Sequence, residues 1–163
     1  MIINRLIANN LIAIVIHLCI CLIFLLPIAL FIHPGHLWTE AGIERMGLIG
    51  VFTQLSIIGV YTIIIFLLYV WAGRKFLIES YEPEHILTDI FSVMSVTCIM
   101  VLAERIIAAN LDNDLSMFSL LLTPNALISG TISFFFHFEL GSVHIVLSLL
   151  PFLALFMGLR ARN

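Results

Sequence analysis

Residues 11–32 read LIAIVIHLCICLIFLLPIALFI, an apolar run that only His17 and Pro27 interrupt. A helix that crosses a membrane needs about 20 such residues, because it rises about 1.5 Å per residue across roughly 30 Å of hydrocarbon. The apolar region of a signal peptide is shorter, at roughly 7 to 15 residues. The stretch therefore predicts a first membrane span over residues 10–32.

The composition of the whole chain agrees with that prediction. Hydrophobic residues make up 62% of the 163 residues and charged residues 10%, whereas a soluble domain carries about 25% charged residues. No linker or low-complexity tract divides the chain. We therefore predict one all-α domain over residues 1–163, a polytopic transmembrane helical bundle.

Further apolar runs predict three more spans, over residues 46–72, 86–109 and 140–159. The segment 115–138 is interpreted as interfacial or re-entrant, because Thr123-Pro124-Asn125 interrupts it. A fifth span in this segment is the alternative.

Gly47, Gly50 and Gly59 are predicted points of close approach between helices.

The basic residues favour four spans. With four spans, five of the seven Lys and Arg residues fall on one side: Arg5, Arg74, Lys75, Arg160 and Arg162. Five spans would move Arg160 and Arg162 across and divide the seven as three and four. The positive-inside rule then predicts cytoplasmic termini in a bacterial inner (plasma) membrane. Arg74, Lys75, Arg160 and Arg162 are predicted anchors to anionic lipid headgroups.

The candidate functional residues within the predicted spans are His17, Gln54 and His144. Polar groups at membrane depth usually face the bundle interior or water. We interpret both histidines as neutral rings bonded to a neighbouring helix, and a polar path for transport is the functional alternative. A b-type haem between them is disfavoured, since their predicted depths differ, at about 12 Å and about 20–24 Å from the inner side.

The best metal-like spacing lies in the predicted outer loop, where His36, Glu40 and Glu44 recur every four residues. The end of the third span and the mouth of the fourth open on the same side. The predicted outer-face cluster comprises His33, His36, Glu40, Glu44, Glu104, His137 and Glu139. It is interpreted as an interfacial hydrogen-bond network, with a metal ion or a catalytic site as the alternative.

The functional prediction rests mainly on what the sequence lacks. It contains no nucleophile elbow, HExxH motif or phosphate-binding glycine loop, and its net charge of -3 offers no basic patch for nucleic acid. We predict no cofactor and a non-catalytic subunit or accessory component of a larger membrane complex. Its predicted partners are the lipid bilayer and other membrane subunits or further copies of itself. A small oligomeric transporter or channel and a membrane enzyme are the alternatives.

Overall fold

The computed structural model describes residues 2–31, 40–78, 86–109 and 139–161, with Leu122, Asn125 and residues 128–129, 131–133 and 135–136. Six helices have defined bounds within these ranges: α1 (Ile2–Phe31), α2 (Glu40–Phe76), α3 (Ile86–Phe91), α4 (Ser95–Ala109), α5 (Leu140–Leu147) and α6 (Leu149–Arg160). The prediction of an all-α fold is confirmed.

Three helical stretches of the described chain are long and apolar enough to cross a membrane. They are Ile3–Phe24, Gly47–Phe76 and Ser142–Arg160, the last formed by α5 and α6 together. They correspond to the first, second and last predicted spans. The helix of the first span starts earlier than predicted, at Ile2, and places Arg5, Asn9 and Asn10 on its first turns.

The third predicted span, residues 86–109, is divided. A turn at residues 92–94 separates α3, of 6 residues, from α4, of 15 residues. At about 1.5 Å per residue α4 is only about 22 Å long, so the prediction of one continuous span here was wrong.

The division has a physical cause on another helix. The side-chain amide of Asn10 donates to the carbonyl of Phe91 at 2.9 Å, and its oxygen accepts the N–H of Ser95 at 3.1 Å. In a continuous helix that N–H would bond that carbonyl, four residues earlier. The side chain of Asn10 therefore bonds both backbone groups that would otherwise bond each other. A side chain inserted in this way breaks a helix.

The described segments of the chain alternate in direction. Arg5 near the start of α1 and Arg160 at the end of α6 both pair with Asp89 near the start of the α3–α4 segment. Asn9 on α1 bonds the backbone of Ile78, just after α2. The start of α1, the end of α2, the start of α3 and the end of α6 thus share one end of the bundle, here called the Asp89 end.

The closest helix pair is α2 with α6. A Cβ added at Gly73 would lie 2.6 Å from the carbonyl oxygen of Leu155. A Cβ added at Gly158 would lie 2.8 Å from the backbone nitrogen of Arg74 and closer still to the carbonyl oxygen of Val70. These two glycines let the backbones touch, and the buried side chains of Tyr69, Leu155 and Leu159 surround the contact.

The glycines singled out in the second span behave differently. Gly47 has a φ of 63° and marks a kink in α2, a backbone conformation that glycine adopts without steric cost. A Cβ added at Gly59 would meet nothing within 4 Å. Within the described structure, the tight contact of α2 is therefore made by Gly73 and not by Gly47 or Gly59.

Candidate functional site

The best-defined polar site of the described chain lies at the Asp89 end and joins four helices and the residues after α2. We call it the Asp89 cluster. Its members are Arg5, Asn9, Asn10, Asp89, Ser92, Ser95 and Arg160.

Asp89 is the charged centre of the cluster and is only 2% exposed. One carboxylate oxygen lies 3.4 Å from Nη2 of Arg5, and the other accepts a hydrogen bond of 3.3 Å from Nη1 of Arg160. Burying an unpaired carboxylate is costly, whereas two guanidinium groups compensate its charge. The carboxylate is thus held as an ion-pair partner that ties the first and last helices to α3.

The two asparagines of α1 extend the cluster to the backbone. The side-chain nitrogen of Asn9 donates to the carbonyl of Ile78 at 2.9 Å, and its side-chain oxygen accepts the N–H of the same residue at 2.7 Å. The Asn9 side chain therefore bonds Ile78 as a second stretch of backbone would. Asn10 makes the two bonds at the α3–α4 break, and its own carbonyl accepts the hydroxyl of Ser95 at 3.1 Å. Both side chains satisfy backbone groups where helices end, which membrane burial requires.

His17 lies deeper, between α1 and α2, and is 1% exposed. Its Nδ1 is 2.6 Å from the hydroxyl of Tyr69, and its Nε2 is 3.6 Å from the sulfur of Cys21. Both ring nitrogens therefore have protein neighbours. This arrangement is a buried contact between two helices and leaves no ring nitrogen open to a ligand.

His144 lies on α5, and its Nε2 is 3.2 Å from the hydroxyl of Ser129. Nearby, the amide of Asn125 donates to the carbonyl of Leu147 at 2.7 Å, close to the junction of α5 and α6. Asn125 and Ser129 belong to the segment predicted as interfacial or re-entrant, and both are buried. Their side chains tie this segment to α5.

A cavity of about 200 Å³ lies beside these groups. Thr62, Phe66, Tyr69, Asn125, Leu150 and Pro151 are among its lining residues, which do not include His17, Gln54 or His144. Its wall is almost wholly apolar. A wall of this kind does not provide the polar lining that an ion path needs.

The predicted outer-face cluster lies largely outside the described residues. This holds for His33, His36 and His137, and for the side chains of Glu40 and Glu44, whose backbone belongs to α2. Glu104 is buried on α4, and Glu139 is exposed at the start of α5. Within the part of the chain that is described, no group of three or more His, Cys, Asp or Glu could hold a metal ion.

The predicted headgroup anchors have different surroundings. Arg74 and Lys75 are exposed on the last turn of α2, and the ammonium of Lys75 lies 5.0 Å from the ring centre of Trp71. Arg160 bonds Asp89 instead of pointing freely to the surface. Arg162 lies outside the described residues.

Sequence reasoning missed the Asp89 cluster. The predictions made from the sequence assigned no role to Asp89, Asn9 or Asn10. One signal was available, since Asp89 is the only acid within the apolar run ILTDIFSVM, residues 86–94. An acid in such a run indicates a buried partner of opposite charge.

These observations define the class of the molecule: a small helical protein with three candidate membrane spans. No family model, curated protein or solved structure matches the chain.

Proposed function

We propose that the protein is a non-catalytic subunit or accessory component of a larger membrane complex, and that an exposed face of α2 binds a transmembrane helix of a partner subunit. One observation carries the proposal. None of residues 47–57 is buried within the protein, although they include Thr53, Gln54 and Ser56. Polar side chains in a membrane span are typical of helix–helix contacts.

The exposed residues form one continuous stripe. Among residues 47–67, eight exposed residues lie within about 60° of the direction of Ser56, at about 100° per residue. This stripe, here called the exposed face of α2, consists of Ile49, Phe52, Thr53, Ser56, Gly59, Val60, Ile63 and Leu67. It runs over about 27 Å along the helix, nearly the thickness of the hydrocarbon core.

The middle of the exposed face suits a close helix contact. Thr53 and Ser56 each donate their hydroxyl to the carbonyl four residues earlier, at 2.9 Å, so they present small surfaces with no unsatisfied donor. Gly59 follows on the same stripe, with open space around it. Small residues let two backbones approach and pack closely, which favours helix association in lipid.

Site-specific photo-crosslinking in membranes tests the proposal. A photoreactive phenylalanine analogue at Phe52, on the exposed face, should give a discrete protein adduct. The same analogue at Leu102, which is exposed on α4, is the control and should give none. An adduct at twice the 18.3 kDa mass that contains only this chain would identify self-association and contradict a separate partner subunit.

We also propose that the α3–α4 segment makes a third passage and that both termini are cytoplasmic. The meeting of Arg5 and Arg160 at Asp89 supports an even number of passages, and Arg74 and Lys75 add positive charge at the same end. Labelling of single cysteines at Arg74 and Arg162 should place both on the cytoplasmic side. Labelling of Arg162 from outside would contradict four passages.

The transporter alternative, with His17, Gln54 and His144 along a polar path, has less support. His17 is enclosed by Tyr69 and Cys21, and the neighbouring cavity has apolar walls. The enzyme or metal alternative at the outer face remains a hypothesis about residues that lie mainly outside the described ranges.

A further inference from the structure

A second surface of the spans carries a groove that the proposed subunit contact does not use. It lies between α1 and α2 and has a volume of about 500 Å³. Its apolar walls include Leu11, Val15, Cys19 and Ile23 on α1 and Leu68 and Phe76 on α2. No residue of this groove belongs to the exposed face of α2.

The length and position of the groove match one leaflet of a membrane. Leu11 and Ile23 are twelve residues apart, which corresponds to about 18 Å along α1. Half of a hydrocarbon core of roughly 30 Å is about 15 Å. The groove starts near the Asp89 end, where Phe76 closes α2 and the pairing of Asn9 with Ile78 marks the end of the bundle.

A fixed positive charge lies at that end of the groove. The ammonium of Lys75 is 5.0 Å from the ring centre of Trp71 and 5.6 Å from that of Phe76, and both rings line the groove or its mouth. A cation over aromatic faces is attracted by their quadrupoles, which holds it beside the groove. Arg74, the neighbouring residue, is also exposed.

We propose that this groove binds one acyl chain of an anionic phospholipid, whose phosphate pairs with Lys75. Charge complementarity selects this occupant. The groove combines an apolar channel of one-leaflet depth with a cation at headgroup level. A phosphate at Lys75 completes an ion pair at the membrane surface, where basic residues attract anionic lipids.

Trp71 provides a direct reporter of the occupant. Because the chain has two tryptophans, Trp38→Phe leaves Trp71 as the only one. The variant is reconstituted in phosphatidylcholine vesicles in which brominated acyl chains are carried either by phosphatidylglycerol or by phosphatidylcholine, at equal mole fraction. We expect the brominated anionic lipid to quench Trp71 at least twofold more than the brominated zwitterionic lipid.

Two pairs of variants in this background separate the charge from the groove. Lys75→Gln should bring the ratio of anionic to zwitterionic quenching to one, whereas Arg105→Gln, at the other end of the bundle, should leave it unchanged. Val15→Phe, which fills the groove, should reduce quenching by both lipids. Leu18→Phe, on an exposed position outside the groove wall, should not.

Three results would overturn the proposal. The first is equal quenching by the two lipids in the protein with Lys75 intact. The second is a preference for the anionic lipid that survives Lys75→Gln. The third is an absence of quenching by either lipid, which would indicate that protein, such as a second copy of the chain, covers the groove.

Discussion

The two halves of α2 have the same apolar character and opposite surroundings. Toward the Asp89 end, Ile58, Tyr61, Ile65, Tyr69 and Ala72 are buried against the other helices. Residues 47–57 contribute no buried side chain. Hydropathy therefore does not distinguish a helix face that packs within this chain from one that does not.

The lengths of α4, α5 and α6 account for part of the difference, although α1, with 30 residues, is as long as the span of α2. The span of α2 has 30 residues, about 45 Å, whereas the span of α5 and α6 has 19 residues, about 28 Å. α4, with 15 residues, is shorter still. Because the helices are held in register at the Asp89 end, the far half of α2 extends beyond these neighbours. Substitutions in the two halves should therefore have very different effects on folding stability.

The largest effect is expected for Asp89→Asn. The substitution keeps the shape of the side chain but removes the charge that pairs with Arg5 and Arg160. Loss of one member of a buried ion pair typically costs about 3–5 kcal/mol. Thermal unfolding in detergent should show a clearly lowered Tm. Glu139→Gln, at an exposed acid on the far side, is the control, and an equal loss in both variants would contradict the structural role of Asp89.

A smaller but distinct loss is expected for Gly158→Ala. The added Cβ would meet backbone atoms of Val70 and Arg74, which cannot move as a side-chain tip can. Overpacking of this kind typically costs about 1–3 kcal/mol. Denaturant titration measures the difference, and an unchanged midpoint would show that α2 and α6 do not touch in this way.

Asn10→Leu should have the next effect. It leaves the carbonyl of Phe91 and the N–H of Ser95 without the partner that they have in Asn10, and a polar group left without a partner away from water costs about 1–3 kcal/mol. If α3 and α4 join into one helix, Ser95 regains a bond and the loss falls to the lower end of that range. Amide hydrogen exchange at Ser95 in the variant measures this change. If both the exchange rate and the stability of the variant equal those of the wild type, Asn10 is not the cause of the break.

The sequence was informative where a feature depends on a single segment. The apolar runs at 10–32, 46–72 and 140–159 led to three helices that could cross a membrane, because length and hydropathy are local properties. The break in 86–109 depends on Asn10, which lies 81 residues from its partner Phe91. The partner of Asp89 on α6 is 71 residues away. No local pattern identifies the partners in such contacts, and they determine both the break between α3 and α4 and the site at the Asp89 end.

The most direct test of the contrast within α2 is Gly59→Leu, measured for stability and for retention of a partner in mild detergent. A Cβ added at this position meets nothing within 4 Å in this chain, and leucine is favoured over glycine in a helix by up to about 1 kcal/mol. The account predicts an unchanged or slightly raised Tm and at least a tenfold loss of the copurifying partner. Val146→Leu, exposed on α5, should retain it. Full retention of the partner by the Gly59→Leu protein would contradict the claim that the exposed face of α2 is the binding surface.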